Sequence, residues 1–255
     1  MKVISIINLK GGVGKTVSAI NIAHVLSAVH RARVLLIDND KQGNASKFFG
    51  VHNYDLPSIA DVLSGAMLPI QKTIKPTSYD RLSIVPANMN LLRANSSLLI
   101  DTSRSRDYRL RRALQTIDDQ FDWCVVDNAP DINISVINAL MATDDVLIPV
   151  KLDRFAVDGL EELLEQVDDV RESNERLRAA ICFFTMFQAN NVNRQGNEWL
   201  RGTDKYSIFQ TVIRNTVKVS ETTYSGKPLL DYSKNCTAAK DYVTLVAEYL
   251  ERWAV

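Results

Sequence analysis

A glycine-rich segment near the amino terminus, residues 10–16, constrains the fold more than any other part of the chain. It reads K-G-G-V-G-K-T and directly follows an apolar run, residues 3–7. Such a run favours a strand, and glycines let the backbone turn sharply and approach an anion closely. The sequence therefore predicts a strand, a phosphate-binding loop and then a helix over residues 14–29.

The segment departs from the general phosphate-loop pattern G-x-x-x-x-G-K-[ST] at one informative place. Gly14, Lys15 and Thr16 supply the end of the pattern. Leu9 occupies the position of the first glycine, however, and Lys10 adds a second lysine. In such a loop we expect Lys15 to contact the β- and γ-phosphate oxygens and the Thr16 hydroxyl to ligate Mg²⁺. The other loop residues expected at the nucleotide are Gly11, Gly12, Val13 and Val17.

Short apolar runs alternate with helical patterns along the whole chain. The predicted strands lie near residues 2–8, 33–37, 82–85, 122–127, 145–150 and 179–187, and the predicted helices near 14–29, 57–65, 89–99, 105–118, 133–142, 157–173, 216–224 and 237–253. Apolar, Val- and Ile-rich strands that alternate with helices indicate an α/β fold, in which helices cover both faces of a mostly parallel twisted sheet. No linker or repeat interrupts the pattern, which favours one domain over residues 1–255.

Three aspartates fall at the carboxyl ends of predicted strands, where ligands of such sheets bind. Asp127 ends the strand over residues 122–127, and we expect it to bind Mg²⁺ through a water molecule. Asp38 and Asp40 follow the strand over residues 33–37, and two roles are open to them. One of these roles is to position or deprotonate the attacking water, and the other is to hold the hydration shell of Mg²⁺.

The charge balance limits the partners of this chain. Thirty basic and thirty acidic residues cancel, so any contact with nucleic acid depends on a local patch. The three cysteines, Cys124, Cys182 and Cys236, show no C-x-x-C spacing, and a reducing cytoplasm fits them best. No signal peptide or membrane span is visible, so no membrane partner is expected.

Several motifs in order resemble those of ParA-type ATPases of the ParA/MinD superfamily. Residues 10–16 match the deviant Walker A motif, and residues 34–46 resemble the second strand with its D-x-D-P-Q-G-N segment. Residues 123–130 resemble the Walker B strand, although Lys41 and Ala129 stand where the family usually has proline. Near the end, the segments over 217–221 and 226–228 match V-[KR]-x-S-E and G-K-P. The resemblance covers nearly the whole chain and implies a single P-loop NTPase-like ATPase domain.

The resemblance implies an ATP-driven cycle with Mg²⁺ as the cofactor. The lysine that matches Lys10 reaches the ATP of a partner subunit, so two ATP molecules are sandwiched in a homodimer. The residue that matches Asp40 is usually assigned to the attacking water, and the one that matches Asp38 lies near the metal. The dimer binds DNA nonspecifically in the cytoplasm, on the nucleoid, and a ParB-like centromere-binding protein stimulates an otherwise slow hydrolysis. The chain begins almost directly with its first strand, so we expect no N-terminal winged-helix region.

The base and DNA contacts match the family less well. The family segment I-P-R, which lies against the adenine, appears here as Ile213, Arg214 and Asn215. Residues 185–191, T-M-F-Q-A-N-N, match the family segment T-M-x-D-x-R-T but lack its aspartate and its arginine. The expected contacts with DNA phosphates come from the last third of the chain, from Arg194, Arg201, Arg214, Lys218, Lys227 and Lys234.

Three other functions are open to such a chain. A MinD-like ATPase cycles on membranes through a basic amphipathic helix at its end, but the polar face of the last helical pattern here is acidic. A redox relative with an iron–sulfur cluster needs paired cysteines, which are absent. A nucleoid-tracking positioner of cargo other than DNA has the same ATPase and the same DNA binding, so the sequence does not separate it from a DNA-partitioning ATPase.

Overall fold

The computed structural model describes residues 1–64, 68–102, 106–153 and 156–252, and within these ranges eight strands form one sheet. The strands are β1 (Lys2–Ile6), β2 (Val34–Asn39), β3 (Lys75–Pro76), β4 (Leu82–Val85), β5 (Trp123–Asn128), β6 (Asp145–Lys151), β7 (Ala179–Thr185) and β8 (Ser207–Ile208). Their spatial order is β3-β4-β2-β5-β1-β6-β7-β8. Only β3 pairs antiparallel, with β4, and the other neighbours are parallel.

Helices connect these strands. They are α1 (Lys15–Ala28), α2 (Asn44–Phe48), α3 (Ile59–Leu63), α4 (Asn90–Ile100), α5 (Arg109–Gln115), α6 (Ile134–Ala142), α7 (Ala156–Arg171), α8 (Asn191–Gly202), α9 (Lys218–Ser225), α10 (Leu229–Tyr232) and α11 (Thr237–Arg252). Single 3₁₀ turns lie at Ile70–Lys72 and Arg106–Tyr108. In the described part of the chain, no helix has the length and apolar composition needed to cross a membrane.

Alternate residues of the central strands pack into two different cores. Leu36 of β2 belongs to the cluster formed with α1 and α11, whereas its neighbours Leu35 and Ile37 belong to the cluster formed with helices α3 to α6. A third cluster joins α7 and α8 to β6 and β7. All six residues of β2 are buried, which explains its continuous apolar sequence. The prediction of an α/β fold with helices on both faces of a mostly parallel sheet is confirmed.

The six predicted strands are all present, and the elements that were not predicted are β3 and β8 at the sheet edges and helices α2, α8 and α10. The strands β3 and β8 have two residues each, too few to give an alternating pattern. The predicted helix over 105–118 is instead a 3₁₀ turn followed by α5, which ends at Gln115. The ends of three predicted helices, residues 65, 105 and 253, lie outside the described residues. That residues 1–255 form one domain stays a prediction.

Candidate nucleotide site

The loop between β1 and α1 has the backbone shape of an anion-binding loop. Gly12 and Gly14 have φ angles of +72° and +87°, in the left-handed region that only glycine enters without strain. Gly14 is also the residue that precedes the first turn of α1. The unpaired amides and the positive dipole end of that helix therefore face the place where the glycines leave room for an anion.

Side chains from two other strand ends hold this loop in place. The Thr185 hydroxyl at the end of β7 donates to the carbonyl oxygen of Val13 at 2.8 Å. Asn8 accepts from the amide of Lys10 at 2.9 Å and donates to the carbonyl of Pro149 at 2.8 Å. The loop is thus fixed against β6 and β7. Neither Asn8 nor Thr185 was predicted, because the contacts of Asn8 with Pro149 and of Thr185 with Val13 join residues far apart in the sequence.

Lys15 lies at the centre of the site. Its side chain is buried, and its Nζ donates to the carbonyl oxygen of Lys10 at 2.9 Å. Burial lowers the pKa of the Lys15 ammonium from its ordinary value. The charges of three carboxylates oppose that shift, in the order Asp127, Asp40 and Asp131. Two of these were predicted site residues, and the third, Asp131, was not.

Asp38 and Asp127 are partners on adjacent strands, at the carboxyl ends of β2 and β5. Asp38 is fully buried, and its carboxylate accepts from the Ser46 amide at 2.8 Å and from the Ser46 hydroxyl at 2.6 Å. Burial raises the pKa of Asp38 to about 6, although these hydrogen bonds oppose the shift. Asp38 is therefore held rigidly, and its own hydrogen bonds satisfy much of its carboxylate.

Asp127 differs from Asp38 in having no such donors. Both of its side-chain oxygens are buried, and neither accepts a hydrogen bond of ordinary geometry. Burial, followed by the charge of Asp38, raises the pKa of Asp127 well above its ordinary value, while the nearby Thr16 and Lys15 oppose the rise. Buried carboxylate oxygens without donors, beside the Thr16 hydroxyl, are the oxygen ligands that Mg²⁺ prefers.

Asp40 lies in the turn after β2 and is partly exposed. Its amide donates to Asp38 at 3.2 Å, and its own carboxylate accepts from the amide of Gln42 at 2.9 Å. The turn continues into α2, whose Ser46 donates to Asp38 and also accepts from the amide of Ala87 at 2.8 Å. The chain segment that carries Asp40 is thus tied to the end of β4 and faces Lys15 from the β2 side.

The second lysine of the loop makes an ion pair within the chain. The Lys10 ammonium lies 2.5 Å from the carboxylate of Asp153, and each side chain is about one third exposed (33% and 34%). Asp153 follows β6 directly and was not predicted from the sequence. The pair holds Lys10 at the edge of the site, beside the neighbouring strand.

The predicted base contacts occupy structural positions. Ile213 is buried in the same core as α1 and α11. Arg214 forms an ion pair with Asp241 of α11 at 2.5 Å, and the Arg214 amide donates to the same carboxylate at 2.9 Å. A separate cavity of about 600 Å³ opens beside Thr16 and Val17, between α1, α2 and α9. That Ile213 and Arg214 contact the adenine stays a prediction.

The six predicted DNA contacts fall into two groups. Arg201 donates to the carbonyl of Phe209 at 2.6 Å, Arg214 pairs with Asp241, and Lys218 pairs with Glu221 at 2.7 Å. The other three are exposed and carry no ion pair with a described residue; they are Arg194, Lys227 and Lys234. The structure thus leaves three of the six side chains available to phosphates on the described surface.

The first strand of the mostly parallel sheet ends in a glycine loop with Lys15, and neighbouring strands end in acidic residues. This arrangement defines the chain as a P-loop NTPase. The family described as AAA domain (AAA_31) matches residues 1–179. The chain is 34% identical to the chromosome partitioning protein ParA of Myxococcus xanthus, over 98% of this chain and 88% of that protein. It is also 34% identical to the sporulation initiation inhibitor protein Soj of Bacillus subtilis, over 97% of both proteins.

The chain therefore belongs to the AAA domain family and, within it, to the ParA/Soj group of partitioning ATPases. A solved structure supports the fold across the whole length. The cobyrinic acid a,c-diamide synthase of Mycobacterium smegmatis, with a bound ATP analogue and magnesium, superimposes with a TM-score of 0.82 at 27% identity, covering 100% of this chain and 96% of the synthase. The resemblance drawn from the sequence motifs is confirmed.

Proposed function

We propose that this chain is a DNA-partitioning ATPase that binds Mg²⁺ and ATP, forms a sandwich dimer and binds DNA without sequence preference. A ParB-like partner then stimulates hydrolysis and resets the dimer. The paired carboxylates Asp38 and Asp127, beside a preformed phosphate loop, are the observation that carries the ATPase part. Membership of the ParA/Soj group supports the partitioning part.

Residues of the phosphate loop and residues at the strand ends have different roles in phosphoryl transfer. The glycine amides, Lys15 and the end of α1 would bind the β- and γ-phosphates and neutralise charge that develops there. Mg²⁺ would be held by the Thr16 hydroxyl and, through water, by Asp127, and would supply further positive charge at the phosphates. Asp38 is held by Ser46 next to that position, so its role is to order the metal's hydration shell and the turn that carries Asp40.

Asp40 is the carboxylate of this turn with access to solvent, and we assign it to positioning the attacking water. The new bond forms between the water oxygen and the γ-phosphorus, while the bond from the γ-phosphorus to the bridging oxygen breaks and ADP leaves with the electron pair. The proton of the water passes to a carboxylate and then to the released phosphate. Loss of the γ-phosphate also removes the group that bridges the two subunits.

The dimer depends on Lys10. Its ammonium lies at the edge of the site, where it pairs with Asp153. We infer that this lysine exchanges Asp153 for the phosphates of the partner's ATP when two chains meet. The exchange replaces one negative partner by another, so it costs little electrostatic energy at a partly exposed position.

The packing of α11 (Thr237–Arg252) argues against a membrane-cycling function. The apolar face of α11 includes Tyr242, Leu245 and Tyr249, and all three are buried in the core with α1. A helix whose apolar face is already packed has no such face left for a lipid surface.

Calorimetry with Mg²⁺ and ATP tests the nucleotide site. We expect uptake by the wild type, binding at least about tenfold weaker for Lys15→Ala, and wild-type binding for Lys240→Ala, an exposed lysine on α11. Sedimentation with a nonhydrolysable analogue and filter binding to DNA with and without ATP test the rest of the cycle. Absence of nucleotide uptake would overturn the whole proposal, and ATP-dependent binding to anionic vesicles instead of DNA would favour membrane cycling.

A further inference from the structure

We propose that Asp131 is a further catalytic residue of this site, and that its carboxylate contacts the water that attacks the γ-phosphorus. The inference rests on the proposed hydrolysis of ATP and adds a fourth carboxylate to it. Asp131 belongs to none of the sequence motifs described above. Its placement, its orientation and its charge carry the inference.

The first argument is placement. Asp131 lies in the short loop between Asn128, which ends β5, and Ile134, which begins α6. In the sheet, β5 lies between β2 and β1. The carboxyl ends of these three parallel strands lie at one edge, so the loop with Asp131 leaves the sheet between the phosphate loop and the turn that carries Asp40.

The cap of the adjacent helix α6 fixes the orientation of the Asp131 carboxylate. The side-chain oxygen of Asn133, Oδ1, accepts from the amides of Ser135 and Val136 at 3.0 and 3.1 Å and so caps α6. Its amide nitrogen is left to donate to Oδ1 of Asp131, at 2.5 Å. One oxygen of Asp131 is therefore fixed to a helix end, and the described residues form no hydrogen bond to the other oxygen, Oδ2.

The third argument is electrostatic. Asp131 lies near enough to Lys15 that its charge opposes the burial-driven fall in the pKa of that ammonium. Three carboxylates thus lie near Lys15: Asp40 in the loop after β2, Asp131 in the loop after β5, and Asp127 within β5 itself. A carboxylate that lies close to Lys15 and is exposed to solvent is placed to accept a proton from a water at the γ-phosphate.

Exposure separates Asp131 from the other two carboxylates at these strand ends. Asp38 and Asp127 are 0% and 1% exposed, and the carboxylate of Asp38 already accepts a hydrogen bond from Ser46. Asp131 is exposed and keeps one oxygen unbonded. In the reaction, that oxygen takes a proton from the water as the oxygen–phosphorus bond forms, and then returns it to the released phosphate, so that the residue ends the cycle unchanged.

Single-turnover phosphate release at saturating Mg²⁺ and ATP tests this role. For Asp131→Asn, which keeps the size and the contact with Asn133, we expect the rate constant to fall by at least about tenfold, since positioned acid–base groups contribute roughly 10²- to 10⁴-fold. The affinity for a nonhydrolysable analogue should stay within about twofold of the wild type. Asn133→Ala should lower the rate less, because it frees Asp131 without removing the carboxylate.

Asp169→Asn is the matched control, an exposed aspartate on α7 away from the site, and it should hydrolyse at the wild-type rate. If the wild type hydrolyses ATP and Asp131→Asn does so equally fast, the role of Asp131 is refuted and the ATPase function stands. If the variant loses analogue affinity in proportion to its rate, Asp131 acts in binding and the inference also fails. If the wild type itself releases no phosphate, the proposed function is what fails.

Discussion

Asp38 and Asp127 lie side by side on adjacent strands, with both carboxyl groups buried and only one of them supplied with hydrogen-bond donors. Burial raises the pKa of both carboxyl groups, and the charge of Asp38 raises the pKa of Asp127 further. In the ligand-free chain the pair is therefore destabilising. A cation bound at the Asp127 oxygens removes the repulsion, so the cost in stability and the affinity for Mg²⁺ have one origin.

We expect Asp127→Asn to stabilise the ligand-free protein, and more so at pH 8 than at pH 5. The pKa of Asp38 is about 6 in the folded protein, above its unfolded value, so folded chains bind more protons between about pH 4 and 6. The contribution of this pair to stability is thus largest at low pH and is lost as the pH rises through the folded pKa values. The variant removes one of the two charges, so its free energy of unfolding does not fall in this way as the pH rises.

Urea unfolding of the ligand-free protein at both pH values measures the effect. The expected gain in the free energy of unfolding at pH 8 is on the order of 1–3 kcal/mol, with a smaller gain at pH 5. Asp119→Asn, an exposed aspartate in the turn before β5, serves as the control and should change neither value appreciably. A gain for Asp127→Asn that did not depend on pH would contradict this account of the pair.

At the scale of elements, the loops after β1 and β6 meet through Lys10 and Asp153. Each loop follows a strand of the parallel sheet, and the pair ties the phosphate loop to the adjacent strand end in the single chain. The same lysine is the one that the proposed dimer needs at the partner's phosphates. Dimer formation therefore competes with a contact inside the chain, and the strength of that contact sets part of the dimer affinity.

We expect Asp153→Asn to strengthen ATP-dependent dimerisation modestly, because it removes the competing carboxylate. Partly exposed ion pairs contribute up to about 1 kcal/mol, so the protein concentration at half-dimerisation should fall by no more than about fivefold. Lys10→Ala should abolish the ATP-dependent dimer. Sedimentation with a nonhydrolysable analogue measures both variants, and unchanged dimerisation in Lys10→Ala would remove the sandwich from the proposal.

The sequence predicts those elements and site residues whose signal is local. The phosphate loop, Asp38 and Asp127 each adjoin a buried apolar strand, so the strand pattern alone places them at one edge of the sheet. Helix α8 gave no such signal, because Leu200 is its only fully buried side chain. Asp131 and Asp153 were missed for another reason, since each acts on a lysine of the phosphate loop that is far away in the sequence.

For the whole molecule, the zero net charge makes the distribution of basic residues more important than their number. Several arginines and lysines hold the fold together, as Arg201 does against Phe209 and Arg214 does against Asp241. Lys227 and Lys234 flank α10 and are exposed on the side of the sheet covered by α1 and α11. The six predicted DNA contacts stay a prediction, and we propose that Lys227 and Lys234, which form no ion pair with a described residue, lie on the DNA-binding face.

We expect Lys227→Ala/Lys234→Ala to weaken ATP-dependent DNA binding and to leave ATP binding unchanged. Each lost phosphate contact should reduce the slope of log affinity against log salt by about 0.9, so the double variant should lose up to about 1.8. Arg201→Ala should instead destabilise the fold, because its guanidinium donates to the partly buried carbonyl oxygen of Phe209. Filter binding at several salt concentrations, with thermal unfolding of each variant, separates the two effects. Lys72→Ala, an exposed lysine on the opposite side of the sheet, is the control; if it weakened DNA binding as much as the double variant, the contacts would not be confined to the proposed face.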